Sequence, residues 1–271
     1  MITKKYTEID GIKVFNPEIK EEHEDFHSIG LDNLFKQEEK HFWFIARKEF
    51  ICKQIKKHIP INKKIIEIGA GTGNVSRYLS KSDYCDISIG EIHMNGLEYA
   101  KEYGIKNRLQ FDLLDAPFEK EFDVVCMFDV IEHIEDDNLA LKNIQKILNK
   151  DGQVILTVPS HMWLWNRNDK ILGHKTRYTK KLLEKKLEEN GFQVLNSRYF
   201  FISIVPLLLL RTFINRDSNK PITDDEREKN DLSINPIINC FLLFISRLEN
   251  KINNFIPNLF GGSLFIIAKK K

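Results

Sequence analysis

The chain has 271 residues, of which 42% are hydrophobic and 30% are charged. This length and composition are enough to bury a full core, and they predict one large domain with an elaboration. The formal net charge of +2 gives no sign of a polyanion-binding surface, so we expect no nucleic-acid partner.

The four cysteines lie far apart and form no C-x-x-C pair, which favours free thiols in a reducing compartment over disulfides or a zinc site. The opening stretch, MITKKYTEIDGIKVF, lacks the apolar core of a signal peptide. We therefore expect a cytoplasmic protein.

Residues 1–60 are predicted to form an N-terminal arm with helices. Residues 1–30 are polar and include the acids Glu21, Glu22, Glu24 and Asp25, so we expect a loosely ordered segment. From 31 to 59 apolar side chains recur at helical spacing, which predicts a helix with a break near the sequence HFW at 41–43.

Strands and helices alternate from residue 64 onward. Such alternation predicts a parallel sheet with helices on both faces. The predicted strands are 64–68, 86–90, 108–111, 122–128, 153–158, 192–199 and a terminal strand after Gly261-Gly262; the predicted helices lie near 74–81, 93–103, 136–149 and 179–190.

Residues 200–260 are predicted to be an insertion before the terminal strand. Two apolar runs, 199–210 and 236–245, flank a polar segment at 215–233 that we expect to be a mobile loop. Both runs are too short to span a membrane. They predict either a buried strand and helix or a surface that contacts a membrane or a lipid-like substrate.

The stretch IIEIGAGTGN at 65–74 places three glycines at alternate positions directly after a strand. A dinucleotide fingerprint, G-x-G-x-x-G, does not fit, because its third glycine would fall on Asn74 or Ser76. The glycines still let the backbone approach a ligand at a helix N-terminus. Glu67 would repel a pyrophosphate there, whereas a positively charged ligand would not be repelled.

Two further acids follow the next strands. Glu91 lies 18 residues beyond Gly73, where a carboxylate can accept both hydroxyls of a ribose. Asp112 and Leu113 follow the third strand and could read an adenine edge, although Asp112 could instead cap a helix. A ribose, an adenine and a cation without phosphate describe S-adenosylmethionine.

These motifs together resemble those of the class I S-adenosylmethionine-dependent methyltransferases. The resemblance is carried by IIEIGAGTGN, SIGEIHMNGLEYAKE, QFDLLDAPF, FDVVCMFDVIEHIED and LNKDGQVILTVPS, in that order. From 159 onward, VPSHMWLWNRNDKILGHKTRYTKKLLEKKLEENGF is similar to a type 11/23 subgroup, as are HFW at 41–43 and the GGS before the last strand.

The resemblance implies a Rossmann-like, doubly wound α/β sheet of seven strands in the order 3-2-1-4-5-7-6, with strand 7 antiparallel. It implies a methyltransferase domain over 61–271 that contains the insertion 200–260 between strands 6 and 7. The residues it implies around S-adenosylmethionine are Glu67, Gly69, Ala70, Gly71 and Gly73 at the methionine end, Glu91 and Ile92 at the ribose, Asp112 and Leu113 at the adenine, and Met127 and Phe128 at the end of strand 4.

Catalytic candidates lie after strands 4 and 5. Methyl transfer to a hydroxyl needs a positioned acceptor and a base, and His133 is the foremost candidate because an imidazole titrates near neutral pH. His161 and Arg177 lie in a segment rich in aromatic and ionisable groups, where Arg177 could hold a phosphate or carboxylate. The alternatives are that His133 braces the following helix and that Arg177 braces the loop through an ion pair.

The spacing Asp129-x-x-Glu132-His133 is similar to the E-x-x-E-H of some O-methyltransferases that bind a divalent metal. Here aspartate replaces the first glutamate and shortens its reach by one methylene, so we predict no metal site.

The sequence therefore predicts an S-adenosylmethionine-dependent methyltransferase acting on a small, sugar- or lipid-linked acceptor, at oxygen. The alternatives are a quinone-type C- or O-methyltransferase and a non-catalytic binding module with the cofactor fold. The insertion 200–260 is expected to touch the inner membrane face peripherally or to form a homodimer interface.

Overall fold

The computed structural model describes residues 1–19, 29–215, 222–223 and 234–271. Its centre is one sheet of nine strands, labelled in chain order. The strands are β1 Thr7–Ile9, β2 Ile12–Val14, β3 Ile65–Ile68, β4 Ile87–Glu91, β5 Asn107–Gln110, β6 Phe122–Phe128, β7 Leu148–Pro159, β8 Phe192–Phe200 and β9 Ser263–Lys270.

The described helices are also labelled in chain order. They are α1 Ile29–Gln37, α2 Phe42–His58, α3 Asn74–Ser80, α4 Met94–Glu102, α5 Asp137–Ile147, α6 Arg167–Ile171, α7 Lys180–Glu189, α8 Val205–Ile214 and α9 Pro236–Ile252. In this described part of the chain, none of them is both long enough and apolar enough to cross a membrane.

The strands lie side by side in the order β1-β2-β5-β4-β3-β6-β7-β9-β8. Strand β9 runs antiparallel to both of its neighbours, while the six strands from β2 to β7 are parallel where they pair. Numbered among themselves, the seven strands after residue 60 follow the order 3-2-1-4-5-7-6. The predicted doubly wound α/β class is therefore confirmed.

The predicted count of seven strands is wrong, because residues 1–19 add two. Strands β1 and β2 form a hairpin, and β2 pairs in parallel with β5. Ile12 and Val14 of β2 are buried in a cluster with Ile89 and Leu97. The alternation Ile12-Lys13-Val14 was the sequence signal for this strand. The acidic run at 21–25 lies outside the described residues.

Alternate residues of the central strands pack on opposite faces of the sheet, as the period of a strand requires. Ile66 of β3 belongs to a core that includes residues of α5 and α7. Ile65 belongs to a second core that includes residues of α2 and α3. Because helices cover both faces of the sheet, the sequences of these strands are continuous apolar runs.

Helices flank the sheet close to the predicted positions. The predicted break near 41–43 separates α1 from α2, where the His41 side chain caps α2 by accepting from Trp43 N. The insertion between β8 and β9 contains α8 and α9, so its second apolar run forms a helix. The predicted mobile loop at 215–233 lies almost wholly outside the described residues.

Candidate active site

The glycine turn follows β3 directly and adopts backbone conformations that favour glycine. Gly69, Gly71 and Gly73 have φ of +66°, +56° and +78°. A Cβ at Gly69 would lie 2.6 Å from Val130 Cγ2, so a side chain there would also clash. The turn ends at Gly73, the N-cap of α3. The predicted cofactor loop is therefore a tight strand-to-helix connection.

Glu67 is buried beneath this turn, with 4% of its surface exposed. Its Oε2 accepts hydrogen bonds from Ser76 N, at 3.0 Å, and from Ser76 Oγ. Burial raises the pKa of Glu67 to about 7, because removal from water disfavours the carboxylate. A cationic ligand at the turn would favour the ionised form.

Glu91 ends β4 and contacts the glycine turn itself. Its Oε2 accepts from Gly71 N at 2.8 Å, and its Oε1 accepts from Ile92 N at 2.8 Å and His93 N at 3.3 Å. The predicted ribose acid is thus preorganised by three backbone N–H groups, next to the loop predicted to hold the cofactor.

Asp112 follows β5 and caps a short 3-10 helix, Leu113–Asp115, by accepting from Leu114 N at 2.8 Å. The capping alternative is therefore present, and one carboxylate oxygen is already used in this way. Met127 and Phe128 are both buried at the end of β6, but they belong to cores on opposite faces of the sheet. Their side chains therefore do not face one common ligand.

Three carboxylates thus stand at or next to the carboxyl ends of three adjacent strands: Glu67 on β3, Glu91 on β4 and Asp112 after β5. Acids accept hydrogen bonds from ribose hydroxyls and an amino group, whereas they repel phosphate. In an open α/β sheet this edge is where ligands bind. These three hydrogen-bond acceptors and the glycine turn fit S-adenosylmethionine and disfavour a dinucleotide.

Helix α1 covers the glycine turn, a feature that the sequence did not reveal. The carboxylate of Glu38, which follows α1 and is 1% exposed, accepts from Thr72 Oγ1 at 2.6 and 2.8 Å and from Tyr103 OH at 2.8 Å. A Cβ at Gly71 would lie 3.4 Å from the Cδ2 atoms of Leu31 and Leu34. The N-terminal arm therefore packs against the predicted cofactor loop.

The neighbouring half of the same edge is marked by strained backbone. Asp129, His161 and Phe201 have φ of +58°, +61° and +59°, and they follow the ends of β6, β7 and β8 respectively. Non-glycine residues in this region cost on the order of 1–3 kcal/mol each and cluster at functional sites. These three residues therefore mark a second candidate region of the site, beside the glycine turn.

Asp129 forms a partly buried ion pair with Arg47 of α2, with Nη2 2.7 Å from Oδ2. The Arg47 guanidinium also lies 5.0 Å from the ring of Trp43, and Asp129 Oδ1 accepts from Thr157 Oγ1 at 3.2 Å. The HFW stretch thus contributes Trp43 to the surroundings of the Arg47–Asp129 ion pair. The sequence pattern gave no reason to place Arg47 in the site.

His161 lies between two aromatic rings, with ring centroids 4.9 Å from both Trp163 and Tyr199. Its Nε2 is buried and has no hydrogen-bond partner among the described residues. Burial and the charge of Arg177 lower the pKa of His161, so the imidazole is neutral near pH 7. A neutral imidazole with an unused nitrogen can accept a proton.

Arg177 is committed to Asp169. Its Nε donates to Oδ1 at 2.8 Å and its Nη2 to Oδ2 at 3.1 Å, while Nη1 donates to Ser160 O at 3.3 Å. Of the two predicted roles, these contacts favour the bracing of the loop. Asp169 is 1% exposed and also contacts His174, whose Nδ1 lies 2.8 Å from Oδ1.

His174 and His133 are brought together by this braced loop, with ring centroids 4.7 Å apart. The Glu132 carboxylate lies beside them, and one ligand atom from each of the three residues falls within 4.8 Å of the others. Burial, and next the charge of Asp129, raise the pKa of Glu132 well above its usual range. The sequence placed His174 in the right loop but not against Glu132.

Comparison with known proteins agrees with this geometry. A family model described as "Methyltransferase domain" matches residues 41–197, which is more than half of the chain. The matched range contains the glycine turn, Glu91, the strained Asp129 and His161, and the braced loop.

Similar curated proteins include the ubiquinone biosynthesis O-methyltransferases of Rickettsia canadensis and Pelagibacter ubique. The first is 30% identical over 122 residues, or 43% of this chain and 52% of that protein. The second is 31% identical over 96 residues, or 34% of this chain and 40% of that protein. This chain therefore spans about half of these relatives' length or less.

Similar solved structures include a possible histamine N-methyltransferase from Thermotoga maritima, with a TM-score of 0.55 and 18% identity, covering 90% of this chain and all of that one. A methyltransferase bound to its Trm112 activator from Haloferax volcanii has a TM-score of 0.56 and 14% identity, covering 89% and 97%. At these identities the likeness shows the fold alone. Taken with the family match, it leads to one conclusion: the chain belongs to the methyltransferase-domain family and has the fold of S-adenosylmethionine-dependent methyltransferases.

Proposed function

We propose that this enzyme methylates a hydroxyl oxygen of a small, sugar- or lipid-linked acceptor. The observation that carries the proposal is the neutral His161, which stacks with Trp163 and Tyr199 and whose Nε2 has no hydrogen-bond partner in the described part of the chain. An alcohol must lose a proton as it attacks the methyl carbon, whereas a primary amine near its own pKa needs less help. A base between two aromatic rings suits an acceptor with an apolar body.

S-adenosylmethionine, when bound, supplies a methyl group on a sulfonium that is already activated by its charge. The chain's own residues then have to hold the acceptor in line and take its proton. In this proposal His161 is the base, and Glu91, with the glycine turn, orients the cofactor. His133 is the second candidate base, and Arg177 keeps its predicted place in the site as a brace for the loop.

Apart from Met127 and Phe128, whose side chains lie on opposite faces of the sheet, the remaining predicted cofactor residues keep their roles within the proposal, as does the domain division into 1–60 and 61–271. The backbone at Gly69, Ala70, Gly71 and Gly73 approaches the methionine end, and Ile92 and Leu113 approach the nucleoside. Because α1 covers the turn, the proposal adds Leu31 and Leu34 to the walls that surround the cofactor.

The relatives' names support an oxygen acceptor, since several of them are ubiquinone biosynthesis O-methyltransferases. They equally support the quinone-type alternative where its acceptor is methylated at oxygen, and they give no support to methylation at carbon. The family membership disfavours the alternative of a non-catalytic module.

The insertion supplies a surface for an apolar acceptor. On α9, Ile237, Phe241 and Phe244 are 80%, 61% and 65% exposed, and on α8 Phe213 is 65% exposed. Isolated exposed apolar side chains are ordinary, but a series at helical spacing on one helix is not. We propose that this face meets the surface of a membrane from which the acceptor is taken, with a homodimer contact as the competing explanation.

The acceptor class can be tested with S-adenosylmethionine labelled in the methyl group. The protein is incubated with a lipid extract, a polar metabolite extract or a mixture of simple quinols, and label is followed into each product. We expect transfer into the lipid or quinol fraction, as base-stable O-methyl product, and loss of transfer in His161→Gln with cofactor binding retained. Transfer only to amines would contradict the proposal.

Membrane contact is tested by flotation with anionic vesicles and by light scattering. Phe241→Ser with Phe244→Ser should abolish flotation, while the control Ile61→Ser, which removes a 58%-exposed side chain before β3, should not. A dimer in solution that becomes monomeric in the double variant, without flotation of the wild type, would favour the dimer explanation.

A further inference from the structure

Arg211 of α8 is a cation whose side chain has no partner. Its guanidinium forms neither an ion pair nor a hydrogen bond within the part of the chain that the structure describes. Two other arginines near the insertion are engaged. Arg198 donates to Asn253 O, and Arg247 donates to both carboxylate oxygens of Glu49, at 2.9 and 2.6 Å. Arg211 therefore keeps its full set of N–H donors for a ligand.

The position of Arg211 on α8 places it beside the loop that carries His161. Thr212, the next residue, donates from Oγ1 to Leu164 O at 3.1 Å. Leu164 ends a short 3-10 helix whose N-cap is His161. Leu208, one turn before Arg211 and Thr212, packs against the core that includes residues of β9. Because residues three and four apart share a helix face, Arg211 lies next to the side of α8 that meets this loop.

The surroundings of Arg211 are those of a recess that solvent can enter. The residue is exposed, yet burial is the largest influence on the pKa of its guanidinium and lowers it. Next, the charge of Asp169 raises this pKa and the charge of Arg177 lowers it. A group that touches solvent and is still largely removed from bulk water lines a cleft. A cation in a cleft attracts an anion more strongly than a cation on an open surface does.

The neighbouring ionisable groups leave the charge of Arg211 uncompensated. Asp169 accepts from two nitrogens of Arg177, at 2.8 and 3.1 Å, so these two residues neutralise each other. His41 lies on the other side, where burial and the charge of Arg211 lower its pKa, so this imidazole is neutral near pH 7. Its Nδ1 accepts from Trp43 N at 3.2 Å. A partly desolvated cation without a counter-charge is a site for an anion.

We propose that Arg211 binds an anionic group, a carboxylate or a phosphate, on the methyl acceptor and so determines which acceptors are methylated. The inference rests on the proposed methyl transfer beside His161 for its purpose. A planar guanidinium presents paired N–H donors that match two oxygens of a carboxylate or phosphate. The sequence analysis gave this role to Arg177, but Arg177 is held by Asp169. Arg211 and His161 then recognise two different parts of one acceptor molecule.

Anion binding is tested by calorimetry on the full-length protein saturated with S-adenosylhomocysteine, which fills the cofactor site without turnover. The probes are octanoate, octyl phosphate and octanol, which share one apolar chain and differ in the head group. We expect at least one anionic probe to bind about 10-fold more tightly than octanol, and the stronger of the two identifies the head group as carboxylate or phosphate.

Three variants assign the binding to the guanidinium. Arg211→Gln should weaken the anionic probe about 10-fold and leave octanol unchanged, because only the anion loses its partner. Arg211→Lys should restore part of the affinity, since the charge remains while the paired donors are lost. The matched control Arg247→Gln, on α9, should leave the affinity for every probe unchanged, because Arg247 is paired with Glu49.

Turnover provides a readout that a purely structural role of Arg211 would not move. The product labelled from the acceptor extract should be retained on an anion exchanger. Phosphatase should release a phosphate ester, and chemical esterification should release a carboxylate. In Arg211→Gln the KM for this acceptor fraction should rise about 10-fold while kcat stays within about twofold of the wild type. Calorimetric affinity for S-adenosylmethionine should also be unchanged.

Wild type that binds octanol as tightly as both anionic probes, or Arg211→Gln with unchanged affinity for them, would overturn the inference. So would an Arg211→Gln variant that no longer floats with anionic vesicles while its KM is unchanged, because the arginine would then bind lipid headgroups of the membrane.

The same experiments separate this inference from the proposed O-methylation. An uncharged methyl ether product with an unchanged KM in Arg211→Gln would overturn anion recognition and leave O-methylation standing. An anionic product methylated at an amine, with a KM that depends on Arg211, would overturn O-methylation and leave anion recognition standing.

Discussion

The two halves of the active-site edge are built differently. The half that we propose to bind the cofactor, called the cofactor half, is encoded locally: the glycine turn lies within 65–74, and Glu91 is the last residue of the adjacent strand. The half that we propose to receive the acceptor, called the acceptor half, is assembled from distant segments, for example Arg47 with Asp129, or Glu132 with His174. A local site constrains the backbone, whereas an assembled site depends on side-chain pairs, and the two should respond to mutation in different ways.

The sharpest test of a backbone-determined cofactor half is Gly69→Ala. We expect a loss of about 3 kcal/mol or more in the free energy of unfolding, because the new Cβ combines positive-φ strain with a 2.6 Å contact to Val130 Cγ2. Binding of S-adenosylmethionine should be lost as well. Denaturant unfolding and calorimetry measure the two effects.

Gly104→Ala is the matched control, since Gly104 also has a positive φ, +79°, but no atom lies within 4 Å of the position that its Cβ would take. It should cost only about 1 kcal/mol and leave cofactor binding intact. Equal losses in both variants would mean that strain alone, rather than close approach at the turn, determines the requirement for glycine.

The next largest effect concerns Glu67, whose pKa is raised to about 7 from an ordinary 4.5 by burial. Between these two pH values the folded protein keeps a proton that the unfolded chain has lost, so stability falls as pH rises through the window. The difference between the two pKa values corresponds to roughly 3 kcal/mol. Glu67→Gln should remove that part of the slope in unfolding experiments between pH 4.5 and 7.

A bound cation at the turn would stabilise the ionised form of Glu67 and so offset part of the free-energy cost of burying its charge. Affinity for S-adenosylmethionine should therefore increase with pH through about 7 in the wild type, with proton release in calorimetry, and should be flat in Glu67→Gln. A wild type whose pH slopes match those of the variant would show that Glu67 is ionised throughout.

The contrast between the halves also explains what the sequence could predict. Strand and helix positions follow from apolar periodicity, and the cofactor acids follow from their place after strands. Residues 1–19 were misjudged because β2 has only three residues, so its alternation of apolar and polar residues is too short to predict a strand, and because its stability comes from long-range pairing with β5. Arg47 was missed as a site residue, and the position of His174 beside Glu132 was not foreseen, because only the packing of α2 and of the loop after β7 sets their neighbours.

The acceptor half should show strong pairwise coupling. Arg47 and Asp129 are 12% and 18% exposed, so removal of either partner leaves a partly desolvated charge. We expect Arg47→Met and Asp129→Asn each to cost about 2 kcal/mol in unfolding free energy, with a coupling of about 1–2 kcal/mol in the double-mutant cycle. Additive losses would show that the pair is a surface contact without energetic weight, which would weaken the case for an assembled site.

The smallest expected effect concerns the point at which the halves meet, the attachment of α1 over the glycine turn. Tyr103→Phe removes the hydroxyl that donates to Glu38 at 2.8 Å while Thr72 still donates to the same carboxylate. A lost hydrogen bond of this kind is worth about 1 kcal/mol, so amide hydrogen exchange in α1 should accelerate about fivefold. Tyr84→Phe is the control, because its hydroxyl donates to Ile59 O at 2.7 Å, away from α1.

Faster exchange in α1 only in Tyr103→Phe would identify α1 as an independently opening cover of the cofactor half. Equal acceleration in α5 would instead mean that α1 opens only with the whole domain, and the two halves would then share one cooperative unit.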